Sequence, residues 1–335
     1  MSRAQRSPAE LFTAAEGGDR AALARLLSLV ERGGDGARAV ARLAAPRAGE
    51  AYTIGLTGAP GAGKSTLTSA IIKHVRAQGD EVAVLAVDPS SPFTGGAILG
   101  DRVRMQDHAT DPGVFIRSMA TRGHLGGLSL ATPEAIRLLD AVGQRWILVE
   151  TVGVGQVEVE VAGKADTTVV VVTPGWGDSV QANKAGLMEV ADVFVINKAD
   201  RSGVEQTRRD LMQMLELSAE TAVPGEGGGW PVAIVATVGS TGEGVVELWE
   251  AILAHRQHAT AGGLLERRRR FRLGEELREI VARRLEQRAR DVCTGERWDA
   301  LTDDVLAGDV DPWTAADQML GSSFCTEQPA ESGRL

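Results

Sequence analysis

Eight residues, Gly58-Ala59-Pro60-Gly61-Ala62-Gly63-Lys64-Ser65, have the types and the spacing to hold a phosphate chain. Small residues let backbone N–H groups turn inward around phosphate oxygens, and a helix that starts where the loop ends adds its positive pole. Lys64 is placed to reach the β- and γ-phosphates and the Ser65 hydroxyl to hold Mg²⁺, with Thr66 next in line. The bland reading of such a run is a tight turn that binds nothing. The flanks speak against it. AYTIGLT, apolar and β-branched, precedes the loop; LTSAIIKHVRAQG follows it with Leu67, Ala70, Ile71 and Val75 on one helical face. Strand, loop, helix is the context in which this spacing means a phosphate-binding loop.

A second motif selects the base. FVINKAD ends an apolar strand with Asn197-Lys198-Ala199-Asp200. Guanine offers donors at N1 and at the exocyclic N2, and one carboxylate at Asp200 can accept both. Adenine has an acceptor at N1 and no amine at C2, so the same carboxylate would be stranded, which is costly when buried. Asn197 is expected to support the pocket and the Lys198 stem to lie along the base. ATVGSTGEG is the expected last base loop, with Gly239 offering a backbone N–H to the guanine oxygen. The nucleotides implied are GTP and GDP, with Mg²⁺.

Three acids are candidates for the metal and the γ-phosphate: Glu150 at the end of WILV, Asp88 at the end of VAVLAV, and Asp101 in ILGDRVRM beside Arg102 and Arg104. Mg²⁺ prefers octahedral oxygen coordination and keeps waters, so some acids can act through water. Each could instead be a helix cap or a surface charge; Glu150 has the strongest pattern, and Asp88, before a proline, the weakest. Lys64, Glu150 and Asp88 are the expected catalytic groups. In ETVGVGQVE, Gly153 is followed by Val154, and the glutamine comes two places later, as Gln156. Many GTPases place a water-orienting glutamine directly after that glycine. Valine cannot orient water, so slow intrinsic hydrolysis, accelerated by a partner, is expected.

These residues need a frame. From residue 49 to about 260, apolar strands (51–57, 81–87, 114–118, 146–150, 167–173, 192–196, 232–237) alternate with helical patterns near 64–78, 131–143, 203–216 and 244–258. That is an α/β fold with a mostly parallel sheet covered by helices on both faces. Residues 1–48 read as a helical extension: Ser7, Pro8 and Glu10 make a capping box, and Asp19 can cap a helix with Leu23, Leu26, Leu27 and Val30 on one face. Residues 261–321 are purely helical in pattern, with a stripe of Leu273, Leu277, Ile280, Val281 and Leu285; residues 322–335 are expected to be disordered. The chain has 335 residues, 43% of them hydrophobic, enough for a globular core. Net charge is −9, from 36 basic and 45 acidic residues, which disfavours nucleic acid or an anionic membrane as main partner. Two cysteines, Cys293 and Cys325, form no C-x-x-C, and MSRAQRSPAELF has no apolar signal core; a cytoplasmic protein is expected.

Taken together, TGAPGAGKST, VDPSSPFTGGAILGDRVRM, FIRSMATRGHLGGLS, ILVETVGVGQVE, PGWGDSVQANKAG, NKAD and DPWTAAD resemble the methylmalonyl-CoA mutase-associated GTPases of the MeaB/ArgK type, from the N-terminal helices to about Leu320. The resemblance implies a GTPase chaperone that gates adenosylcobalamin delivery to an acyl-CoA mutase and protects it. It also implies homodimers through C-terminal helices. It makes Lys64, Ser65, Asp88, Asp101 and Glu150 the phosphate and Mg²⁺ set, and Asp178, Gln181 and Lys184 a segment that answers to the mutase. Val157 and Trp176 depart from the family's usual pattern.

Two rival classes share the loop. Nickel- or cobalt-inserting GTPases need clustered soft or imidazole ligands. The five histidines (74, 108, 124, 255, 258) show no tight cluster, and His255 with His258 reads best as a solvated helix end. A small-molecule kinase would prefer adenine, against NKAD. The run ERRRRFR (266–272) reads as a solvated helix face rather than a membrane or RNA patch. Trp298, Trp313 and Phe324 fit interface anchors or ordinary helix packing equally well.

Overall fold

The computed structural model describes residues 6–88, 108, 110–120, 127–151, 164–176, 182–221 and 229–320. Seven strands, β1 (Tyr52–Gly58), β2 (Val82–Asp88), β3 (Val114–Ala120), β4 (Trp146–Thr151), β5 (Thr167–Val172), β6 (Val193–Asn197) and β7 (Ala233–Thr237), form one sheet in the order β3-β2-β4-β1-β5-β6-β7. Every pairing between them is parallel. The expected strands lie within a residue or two of these.

Among the described residues the helices are α1 (Pro8–Glu16), α2 (Arg20–Arg32), α3 (Gly34–Ala44), α4 (Lys64–Ala77), α5 (Gly127–Ala141), α6 (Ala182–Val190), α7 (Val204–Thr221), α8 (Val245–Ala261), α9 (Leu264–Val292), α10 (Glu296–Ala307) and α11 (Pro312–Leu320). Side-chain alternation along the strands decides what covers each face. Ala83, Leu85 and Val87 of β2 pack with the N-terminal helices and α5, while Val82 and Val84 pack under α4 and α8. The N-terminal extension is therefore part of the sheet's cover. Ser7 and Glu10 form the capping box, and Asp19 accepts from the N–H groups of Ala21 and Ala22.

One helix, α6, was not read from the sequence, and the helical stretch expected before residue 48 divides in a way not foreseen. The Gly33-Gly34 pair breaks α2 as expected, but both glycines adopt positive φ (71° and 70°) and α3 restarts at once. α6 is short, with no acid in its first turn and no base in its last. The last helical region splits at Gly308 (φ 79°), and Pro312 opens α11.

The chain divides into two compact units, residues 1–272 and 273–335. The first holds the sheet. In the second, the described helices bury little: Leu273, Leu277, Val281 and Leu285 of α9 are all exposed, and Trp313 is 85% exposed. No described helix is long and apolar enough to cross a membrane.

Candidate functional site

The loop after β1 sits where the strand order reverses: the chain runs outward to β2 and β3, then returns to β4 and β5 on either side of β1. Ligands of open parallel sheets bind at the carboxyl ends of strands at such a switch. Gly58 is required there. Its φ is 139°, and a Cβ would lie 2.0 Å from the carbonyl oxygen of Val171 in the neighbouring strand. Gly63 (φ 91°) turns the chain into α4, and a Cβ there would lie 2.5 Å from Asn197 Nδ2.

Lys64 and Ser65 open α4 and are almost buried, whereas Ala59, Pro60, Gly61 and Thr66 form the exposed rim. Lys64 Nζ donates to the Gly58 carbonyl at 2.6 Å and to Ala59 at 3.3 Å, which keeps the ammonium over the loop. The Ser65 hydroxyl donates to Glu150 Oε1 at 2.6 Å. Glu150 is 1% exposed, near the end of β4, in register with Leu56 of β1 and Ala86 of β2. A buried carboxylate beside the phosphate-loop serine is a set of hard oxygen donors of the kind Mg²⁺ takes. Asp88 ends β2, two residues beyond the register partner of Glu150.

The Asn197–Asp200 stretch joins the phosphate loop physically. Asn197, 2% exposed, donates from Nδ2 to the Ala62 carbonyl at 2.8 Å. Its Oδ1 accepts from the Gly239 N–H at 3.0 Å and from Thr237 Oγ1 at 3.2 Å. One side chain thus holds the phosphate loop and the loop after β7 together. The Gly239 N–H, expected to meet the guanine oxygen, is engaged by Asn197 in this structure. Lys198 is the one described non-glycine residue with positive φ, 59°, and its Nζ donates to the Gly61 carbonyl at 2.6 Å. Such a backbone is strained and persists where surroundings enforce it. Asp200 is exposed at the same edge. Lys184 lies in α6, where its backbone alone is described; Asp101, Arg104, Gly153, Gln156, Asp178 and Gln181 lie outside the described residues, as do Val154, Val157 and Phe324. Trp176 is buried against Val172, Phe194 and Leu211.

The opposite end of the sheet holds a polar network that the sequence reading missed. Asp166 and Asp192, each just before an apolar strand, are buried. Arg269 and Arg272 of α9 pair with Asp166, and Arg268 pairs with Asp192 at 2.9 Å. The run 266–272 is therefore not simply a solvated face: three of its arginines turn inward to compensate buried carboxylates. His255 is likewise not a solvated helix end. It is fully buried, with Nδ1 2.8 Å from Thr167 Oγ1 and Nε2 3.2 Å from Asp192 Oδ1, and the Trp230 ring lies against it. Thr167 Oγ1 also meets the Tyr52 hydroxyl at 2.7 Å, and burial pushes that hydroxyl up to about 12. An Asp–His–Thr series resembles a nucleophile relay, but its complete burial denies it a substrate. Its sequence signal was an acid directly before each of two apolar strands, D-T-T-V-V-V-V and D-V-F-V-I. Among the described residues no three His, Cys, Asp or Glu side chains converge on a metal-sized space.

Residues 23–294 match the family described as Methylmalonyl Co-A mutase-associated GTPase MeaB. A GTPase-named protein of Pyrococcus horikoshii is 50% identical over 311 residues, 93% of this chain and 96% of that one. GTPase ArgK of Escherichia coli is 40% identical over 266 residues, 78% and 80% of the two chains. The mouse protein named Methylmalonic aciduria type A homolog, mitochondrial, is 34% identical over 331 residues, 94% of this chain and 79% of that one. A crystal structure named LAO/AO transport system kinase superposes with a TM-score of 0.67 at 28% identity, covering 93% and 96% of the chains. The chain belongs to the MeaB family of methylmalonyl-CoA mutase-associated GTPases, and it is a GTPase of the P-loop fold that binds guanine nucleotide.

Proposed function

We propose that this GTPase is a chaperone of an adenosylcobalamin-dependent acyl-CoA mutase, gating cofactor delivery and protecting or reactivating the enzyme. The observation that carries this reading is the family match over residues 23–294, and the mouse relative's name agrees with it. In this reading Lys64 sets a positive charge against the β- and γ-phosphates. Ser65, Glu150, Asp88 and Asp101 hold the metal, and the Ser65–Glu150 hydrogen bond supports that assignment. Mg²⁺ bound there supplies charge neutralisation at the γ-phosphate. Asn197, Lys198 and Asp200 hold guanine, and the Asn197 link to Ala62 makes base and phosphate recognition one rigid unit. The chain works in the cytoplasm as a homodimer whose contact is the exposed apolar stripe of α9.

Positioning of the nucleophile carries much of the barrier in phosphoryl transfer. Val154 leaves that task undone, so the isolated GTPase turns over slowly and the mutase accelerates it through the segments around Gln156 and Asp178–Lys184. Hydrolysis is measured with and without an acyl-CoA mutase from the same cell. Lys64→Ala abolishes both rates. Lys184→Ala spares the basal rate and weakens the stimulated one. The reading fails if no acyl-CoA mutase stimulates the wild type, or if Lys184→Ala lowers both rates equally.

A further inference from the structure

Ser69 lies one turn beyond Ser65 on α4, and its hydroxyl is 2.8 Å from Nε2 of His108. Both residues are buried, at 8% and 5% exposure. Residues four apart share a helix face, so α4 carries a buried polar ladder. Its first rung is Ser65 on Glu150; its second is Ser69 on His108. His108 itself stands on a braced turn. The Asp111 N–H donates to the His108 carbonyl at 3.2 Å, and the Gly113 N–H donates to Asp111 Oδ1 at 2.8 Å. Arg76, at the far end of α4, pairs with Asp111 at 2.9 Å, and Arg20 of α2 donates to the carbonyls of Asp111 and Val114 at 3.0 and 2.6 Å. Arg20 thus holds the turn from outside α4, while Arg76 ties it to the far end of α4 and the Ser69–His108 bond ties it one turn from Ser65.

The apolar face of α4, Leu67, Ile71, Ile72 and Val75, chooses which side of the helix meets the sheet. Apolar contact is non-directional and sets axial position weakly. A hydrogen bond has a preferred length and angle and sets it sharply. The first turn of α4 carries Lys64 and Ser65, which the proposed function sets against the phosphates and the metal. We propose that His108 is a positioning residue for GTP hydrolysis: through Ser69 it fixes the setting of α4, and with it the Lys64 ammonium and the Ser65 hydroxyl.

The test measures basal hydrolysis, KM, GDP affinity and thermal midpoint on the full chain. Ser69→Ala deletes one oxygen from the bond; His108→Phe keeps volume and burial; His108→Gln returns an amide near the Nε2 position. Because misplacement by about 1 Å can cost up to ~100-fold in rate, the expected loss of kcat is about tenfold for Ser69→Ala and for His108→Phe, with KM and GDP affinity within about twofold of wild type. The double variant is no slower than either single variant, since both remove the same bond, and His108→Gln recovers most of the rate. The proposal is overturned if kcat per folded molecule is unchanged in Ser69→Ala, if the two losses multiply in the double variant, or if KM moves while kcat does not. Should His108→Phe fail to fold, Ser69→Ala and His108→Gln decide the matter.

Discussion

Arg269 grips Asp166 with two nitrogens, Nε on Oδ1 at 3.1 Å and Nη2 on Oδ2 at 2.5 Å, and the carboxylate it holds is 1% exposed. The same guanidinium donates to the carbonyls of Gly49 and Ala51, just before β1, while Asp166 accepts the N–H of Thr53. One side chain of α9 therefore ties down the starts of β1 and β5, the first of which leads to the phosphate loop. Removing one partner of a buried pair leaves an uncompensated charge and typically costs 3–5 kcal/mol. Here Arg272 remains when Arg269 is lost, and the arginines retain some water. Arg269→Ala is expected to cost about 2 kcal/mol and Asp166→Ala about 3 kcal/mol. Urea unfolding of the full chain checks both, and equal midpoints for variant and wild type would discount the clasp.

The same acids set a pH dependence. Burial raises the Asp166 carboxyl, but the Arg269 hydrogen bond and the two guanidinium charges outweigh it, so its pKa falls below the ordinary value of 3.8. Asp192 behaves alike: burial is opposed by the His255 hydrogen bond and charge and by Arg268, and the net direction is down. A carboxyl with a lower pKa in the folded than in the unfolded state adds stability above its unfolded pKa. That contribution disappears as pH falls from about 4 toward the folded value. Stability is therefore expected to drop below about pH 4.5. Asp166→Asn, which cannot titrate, should show a shallower fall between pH 5 and 3 in thermal melts; an undiminished slope would locate the acid sensitivity elsewhere.

How much of this was legible differs by site. The phosphate loop was readable because it needs particular residues at fixed offsets, and the sheet because its strands are nearly continuous apolar runs. The clasp was not, because charge runs such as 266–272 usually face solvent, and only the fold brings Asp166 and Asp192 beneath them. His255 was misread for the same reason: helical spacing pairs it with His258, but α8 turns it into the sheet base. Asn197 was expected to serve the base; its bond to Ala62 depends on two loops far apart in sequence meeting at the sheet edge.

Base choice is expected to follow Asp200. The residue is exposed three positions after the buried Asn197, at the carboxyl end of β6. Its carboxylate matches the two guanine donors, so GTP should bind far better than ATP. Asp200→Asn keeps the size and supplies a donor, which suits the C2 oxygen of xanthine. Calorimetry should show GTP affinity falling by at least about tenfold and xanthosine triphosphate gaining correspondingly, as a site built for one donor pattern discriminates strongly. Equal ATP and GTP affinity in the wild type would refute the assignment.

The α9 stripe makes the last prediction. Leu273, Leu277, Val281 and Leu285 recur every four residues and are 55%, 62%, 48% and 45% exposed, on a helix otherwise rich in Arg and Glu. Scattered apolar residues on a surface need no explanation, but a periodic row on one helix does. Covering such a side chain fully is worth about 1.5–3 kcal/mol, and half-covered ones roughly 1 kcal/mol each. A second copy of the same helix supplies the matching row and makes the contact self-complementary. The clean place to remove the row is after Arg272, because Arg268, Arg269 and Arg272 belong to the sheet-bearing unit and must stay. A chain ending at Arg272 should keep guanine-nucleotide affinity and scatter light as one copy, where the full chain scatters as two. Ending near residue 262 instead should cost stability as well, by orphaning Asp166 and Asp192. Leu277→Glu with Val281→Glu gives an independent check, since both positions are exposed and the change leaves the sheet untouched. If the shortened chain and the double variant both remain dimeric, the contact between copies lies outside α9.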